Sequence, residues 1–186
     1  MATAIEQRIF SVADYHRMAE VGILTEADRV ELIEGRLIVI SPVGSCHAAC
    51  IKRLNAALSR QTSGHALGSI QDPLQLDDYS EPEPDVALLR PRDDFYATSH
   101  PTAEDVLLLI EVADTSEGYD HEEKVPLYAR SNIPEVWFVS LAKKRVEVYT
   151  EPVAEIYRQV RYVLAGETLT VQQIPNVQLA ADDLFG

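Results

Sequence analysis

Hydrophobic positions change period several times along the chain, and each change predicts an element. In residues 11–21, SVADYHRMAEV, the residues Val12, Tyr15, Met18 and Ala19 recur at helical spacing. Ser11 with Asp14 three residues on predicts an N-terminal cap, and Gly22 predicts a stop. VELIEGRLIVISP at 30–42 reads as two short strands around Glu34-Gly35, a hairpin turn that Pro42 and Gly44 close off. SCHAACIKRLNAALSRQ at 45–61 is the clearest amphipathic helix, with Ala49, Cys50, Leu54, Ala57 and Leu58 as its buried stripe and Gly64 as its stop. Residues 66–76 offer two short strands, ALGSIQ and LQL, broken at Asp72-Pro73. Pro84 restricts the entry to a strand, VALLR. Residues 91–105 read as a surface loop.

The second half is more apolar. VLLLIEV at 106–112 has no polar face before Glu111, which predicts a central strand covered on both sides. DTSEGYD at 114–120 is the following turn, with Ser116 or Asp120 as cap for the helix HEEKVPLYARS. Pro126 suits only a first helical turn or a kink, so the helix starts near 123–125 or bends there. EVWFVS at 135–140 predicts a buried strand and RVEVYT at 145–150 a half-exposed one. YRQVRYVL at 157–164 repeats the alternation, giving an antiparallel meander. A short strand at 168–171 and a packed tail complete an α/β chain. No repeat or linker divides it, so one domain over residues 1–186 is expected.

Composition alters this picture in two places. The longest apolar run, Val106–Ile110, is too short to span a bilayer, and the opening residues lack a signal-peptide pattern. Cys46 and Cys50 lie four apart on one helix, which does not suit a disulfide. Both points predict a cytoplasmic protein with no membrane partner, its cysteines packed in the core. The net charge of −14 works against gripping a polyanion. Any contact with nucleic acid is therefore expected to be weak or transient, or to rely on a basic groove or bound metal ions.

Three residues point to chemistry. Asp85 and Glu111 are carboxylates on two apolar strands, and Lys124 follows on a helix. Carboxylates and a backbone carbonyl at Val112 form part of the hard-oxygen shell that Mg²⁺ or Mn²⁺ takes. A neighbouring lysine orients water or holds phosphate. Each has a plainer reading: Asp85 as a strand-entry turn residue, Glu111 in an ion pair with Lys124 or Arg130, Lys124 as a solvated helix residue. Glu31 sits among apolar neighbours, either as a solvent-facing edge residue or as a further acidic group of the site. Cys46, His47 and Cys50 lack a fourth zinc ligand, while His47 stands near a helix start, where it could line a site or bind phosphate. Tyr119 and Tyr128 read as packing residues able to brace the lysine, and Trp137 reads as core.

These segments in order, VELIEG with ISP, PDVALL, LLIEVADTS, YDHEEKVPLYARSNIPEVWFVS and RVEVYT, resemble the Uma-type restriction-endonuclease family, within the PD-(D/E)xK nucleases. The resemblance spans roughly residues 11–185. It implies a restriction-endonuclease-like mixed β-sheet flanked by helices. It also implies a DNA endonuclease using Mg²⁺ or Mn²⁺, with Asp85 and Glu111 binding metal, Lys124 catalytic and Glu31 an additional acidic residue. The motif lysine normally lies two residues after the glutamate, where this chain has Ala113. Lys124 is expected to return from its helix to that gap. Nucleases of this fold often pair, so a homodimer is expected. A degenerate fold serving in binding or assembly, and a hydrolase of smaller phosphate esters, are the alternatives.

Overall fold

The computed structural model describes residues 7–25, 27–40, 42–113, 118 and 120–186. The suggested cap Ser116, and Tyr119, lie outside the described residues.

Helix α1 (Val12–Glu20) begins at Ser11 with a complete capping box, the Ser11 hydroxyl accepting from the Asp14 amide while the Asp14 carboxylate accepts from Ser11. Strands β1 (Val30–Ile33) and β2 (Arg36–Val39) form an antiparallel hairpin separate from the main sheet. Its turn has Glu34 at φ 49° and Gly35 at φ 73°, the left-handed pair that a two-residue hairpin needs. A Cβ at Gly35 would lie 2.5 Å from the Ile9 Cβ, so only glycine fits.

Helix α2 (Ser45–Gln61) and strand β3 (Leu67–Ser69) lead to β4 (Val86–Leu89), β5 (Val106–Ala113), β6 (Glu135–Ser140), β7 (Arg145–Val153) and β8 (Ile156–Leu164). β3 to β8 form one sheet in chain order, parallel only between β5 and β6 and antiparallel elsewhere. Between β5 and β6 runs a π-helical turn, Asp120–Lys124, continuing into α3 (Val125–Arg130). Pro126 sits in the first turn of α3, where its missing amide costs no helical bond. β9 (Thr168–Val171) and β10 (Ile174–Ala180) pair as a second hairpin, and α4 (Asp182–Phe185) ends the chain.

The sheet carries a core on each face. Cys50, Leu54 and Leu58 of α2 pack with Leu108, Ile110, Trp137 and the β9–β10 hairpin. Tyr128 and Ala129 of α3 pack on the other face with Leu109, Ala113, Phe138 and Tyr149. β5 is buried along its whole length, as its uniform apolarity requires. The architecture is the expected α/β one, a mixed sheet flanked by helices with antiparallel C-terminal strands.

Two expectations need correction. Cys46 is exposed and only Cys50 is buried, because α2 presents one stripe and Cys46 lies in its open first turn. RVEVYT is not half-exposed: Val146 to Tyr149 are buried, because both faces of β7 are covered. The tail is packed as expected, with Val177, Leu179 and Leu184 buried, and it consists of β10, paired with β9, and the short α4.

Candidate active site

The register of the sheet brings the two strand carboxylates together. Val86 pairs with Ile110, so one step further along the antiparallel ladder sets Asp85 opposite Glu111. Asp85 stands just before β4 and uses its side chain where a ladder bond would come: the Val112 amide donates to its Oδ2 at 2.9 Å. His47 Nε2 lies 2.9 Å from the same oxygen, and Gln71 Nε2 donates to Oδ1 at 3.1 Å. Gln71 reaches inward from a backbone held at φ 54°.

Glu111 points to the opposite face of β5 from Ile110, toward α3. The Tyr128 hydroxyl donates to Glu111 Oε1 at 2.5 Å, and Lys124 Nζ lies 3.3 Å from the same atom. Lys124 also lies 3.2 Å from Glu31 Oε1. All three charged side chains are at most 9% exposed, which removes the readings of Lys124 as a solvated helix residue and Glu31 as a solvent-facing edge. The ammonium arrives from the end of the π-helical turn; such turns frequently mark functional sites. Ala113 lies on the same face of the sheet as Glu111.

Glu31 is held there by its hairpin. The Glu81 amide donates to the Leu32 carbonyl at 2.7 Å, and the Glu83 amide donates to Glu31 Oε2 at 3.2 Å. On the other side Arg130 contacts Glu34, and Arg36 contacts Glu123, both at 2.5 Å. These ion pairs fix the hairpin to the helical segment that carries Lys124.

His47 is hydrogen-bonded to Asp85. Burial alone would lower its pKa, but the hydrogen bond to Asp85 and that carboxylate's charge outweigh it, aided by the Val112 carbonyl and by Glu111. The net shift is upward, favouring imidazolium against the carboxylate. Among the described residues its Nδ1 is buried with no hydrogen-bond partner. Each candidate metal-binding carboxylate thus has a basic side chain against it, His47 for Asp85 and Lys124 for Glu111.

All four expected site residues, Glu31, Asp85, Glu111 and Lys124, converge at the end of β5, beside the Val112 peptide. They do not gather as a bare three-carboxylate cluster. Among the described residues the compact set of three His, Cys, Asp or Glu ligand atoms is a different one, His16, Glu81 and His100. The reason is geometric: Lys124 bridges Glu31 and Glu111, and Asp85 is engaged by Val112, His47 and Gln71. Sequence reading missed Gln71, whose position follows from a turn with no motif. It read Tyr128 as a packing residue able to brace the lysine; Tyr128 is packed in the core, and its hydroxyl contacts Glu111.

A family model described as "Putative restriction endonuclease", Uma2, matches residues 12–182. The chain belongs to the Uma2 family. No curated protein matches it. Among solved structures it is similar to a putative nuclease of the DUF820 group from Anabaena variabilis, at 14% identity and a TM-score of 0.75. That alignment covers 95% of this chain and 97% of the other. At such low identity the likeness concerns the fold, and it agrees with Uma2 membership. Restriction-endonuclease-like nucleases generally use divalent metals, so the Uma2 match directs attention to the acidic end of β5. Among the described residues no helix is long and apolar enough to cross a membrane.

Proposed function

We propose that the chain is a metal-dependent endonuclease that hydrolyses DNA phosphodiester bonds, with the end of β5 as its active site. The observation that carries this reading is the position of Lys124 Nζ, 3.3 Å from Glu111 Oε1 on the face where the motif lysine would have stood at Ala113.

The donor chemistry fits a hard cation. Asp85, Glu111 and the Val112 carbonyl offer oxygen only, the set that Mg²⁺ or Mn²⁺ favours over softer metals. When bound, the cation would stabilise charge on the phosphoryl oxygens and make a water more acidic. The chain's own residues do the rest. Asp85 and Glu111 would hold the cation. Lys124 positions the attacking water or the scissile phosphate beside Glu111, and Glu31 with Tyr128 keeps the lysine and glutamate in place. His47 lies in the first turn of α2, whose N-cap Gly44 supplies no side-chain bond, so the helix amides and dipole favour an anion there.

The same reading treats residues 1–186 as one cytoplasmic domain that works as a homodimer. Ile156, Val160, Tyr162 and Leu164 on the edge strand β8 are each at least 44% exposed, which supports pairing of two copies along that strand. Weak, transient DNA contact is consistent with the net charge of −14.

The charge also favours a second reading, a degenerate nuclease fold that binds without cutting. Incubating plasmid DNA with metal-replete protein separates them. Nicking with Mg²⁺ or Mn²⁺, abolished in Asp85→Ala and Glu111→Ala, supports the nuclease. No cleavage of DNA or RNA supports the binding module, and turnover of small phosphodiesters alone identifies a different hydrolase.

A further inference from the structure

The strongest unexplained cluster lies outside this site. His16 Nε2 is 2.8 Å from Glu81 Oε1, and one ligand atom each from His16, Glu81 and His100 lie within 4.8 Å of one another. The two imidazoles meet edge to face with centroids 6.0 Å apart. Glu81 is 2% exposed, yet among the described residues its second oxygen, Oε2, is buried with no hydrogen-bond partner. A buried carboxylate oxygen left unsatisfied is costly. Oε1 already has His16. Oε2 therefore lacks a cation or donor that the described side chains do not supply.

We propose that His16, Glu81 and His100 form a second metal site, selective for a transition ion of the Zn²⁺ class. Two imidazoles and one carboxylate make the nitrogen-rich set that Zn²⁺, Co²⁺ or Ni²⁺ prefers, and Mg²⁺ does not. Bonds of about 2.1 Å place tetrahedral ligand atoms roughly 3.4 Å apart, so movements of about an ångström complete the set. The ion replaces the hydrogen now shared by His16 Nε2 and Glu81 Oε1. With three protein ligands, a fourth position stays open to water on the side where His16 and His100 meet solvent.

The ligands come from three separate segments: His16 from α1, Glu81 from the stretch running into Asp85, and His100 from the loop after β4. That loop is already pinned beside its ligand, the Gln75 amide donating to the Pro101 carbonyl at 3.0 Å. Glu81 is pinned likewise through its amide on Leu32, next to Glu31. An ion here would clip α1 and the loop to the segment that delivers Asp85. It needs no assumption about nuclease activity.

The test is calorimetric titration of chelator-stripped full-length protein with Zn²⁺, repeated for His100→Ala, His16→Asn, the double variant and Asp85→Asn. Both histidine substitutions are at solvent-accessible positions and leave the core untouched. One equivalent of Zn²⁺ should bind the wild type and Asp85→Asn, weaken at least about tenfold in each single variant, and vanish in the double variant. Co²⁺ should give the intense visible bands of a low-coordinate site in the wild type, absent from the double variant. No Zn²⁺ binding by the wild type overturns the proposal. So does equal binding by the double variant, or loss of the ion in Asp85→Asn alone, which would place it at the end of β5.

Discussion

Replacing Lys124 by methionine keeps most of the side chain's volume and removes only its charge and hydrogen bonds. Nζ lies 3.2 Å from Glu31 Oε1 and 3.3 Å from Glu111 Oε1, with the three side chains 9%, 3% and 6% exposed. At an effective dielectric of about 20, each contact is worth roughly 5 kcal/mol. Desolvating one ammonium and two carboxylates offsets most of that gain, so the intact triad adds little net stability. Removing the cation alone is different, because both carboxylates stay buried and lose the positive charge between them, keeping neutral donors such as the Tyr128 hydroxyl and the Glu83 amide. The expected loss is about 3–5 kcal/mol, the cost of breaking a buried pair from one side. Equilibrium urea unfolding should show it as a midpoint lowered by roughly 2 M at an ordinary slope. Millimolar Mg²⁺ should restore more stability to Lys124→Met than it adds to the wild type, because the cation then supplies the missing charge. Adding Glu31→Gln should recover part of the loss, a coupling of about 0.5–3 kcal/mol. Plasmid cleavage should fall about 10²–10⁴-fold. A loss below about 1 kcal/mol with no Mg²⁺ dependence, or cleavage at the wild-type rate, would refute the role given to Lys124.

Asp85→Asn turns an acceptor-only group into one that also donates, next to the His47 ring and the Val112 amide; it should cost about 1–3 kcal/mol in thermal unfolding and abolish Mg²⁺-dependent cleavage. A folded variant that still cuts would move the metal away from Asp85. Tyr128→Phe removes the hydroxyl on Glu111, so about 1–2 kcal/mol should be lost and cleavage should fall less than in Lys124→Met. Gly35→Ala puts a Cβ at φ 73° and 2.5 Å from Ile9; a loss of about 1–3 kcal/mol is expected, with cleavage weakened through the displaced Glu31. Burial pushes the Cys50 thiol up to about 11, whereas Cys46 is exposed. Thiolate is the reactive form, so native protein at pH 8 should take up one equivalent of an alkylating reagent, at Cys46 by peptide mapping. Cys50 should react only on unfolding or as the pH approaches its own pKa.

What the sequence made legible was mostly local. The Glu34-Gly35 turn, the capping box at Ser11 and the unbroken apolarity of β5 each depend on residues a few positions apart, and each is present. The pairing of Asp85 with Glu111 was legible because one lies beside each of two neighbouring strands. The burial of Glu31 was not. Its β1 is short, and contacts far apart in the chain turn the hairpin onto the helical segment: Glu34 with Arg130, 96 positions apart, Arg36 with Glu123, and Glu31 itself with Lys124. Alternation in RVEVYT suggested an open face because a sequence does not say which strand of a meander a helix covers. Tyr149 and Phe138 lie under α3, and Val146 and Val148 under the other core. His16, Glu81 and His100 belong to segments with no shared period, so no spacing rule joins them.

A site for a hard cation must fold before the cation arrives, and buried carboxylates in that state need other positive charge. Here two basic side chains stand against the carboxylates, one from each helix that flanks the sheet. His47, from the start of α2, contacts Asp85 beside the Val112 carbonyl, and Lys124, from the start of α3, contacts Glu111 and Glu31. The two helices therefore do more than cover the sheet. Each brings one basic side chain to one carboxylate, so the packing that buries the core also places a partner against each acidic group. On the proposed reading, a divalent ion would compete with these contacts for Asp85 and Glu111. A chain with net charge −14 would otherwise meet its strongest self-repulsion where its acidic groups are buried together. Lys124 neutralises the buried Glu31–Glu111 pair, and on the proposed reading the same ammonium would stand ready for a phosphate beside Glu111.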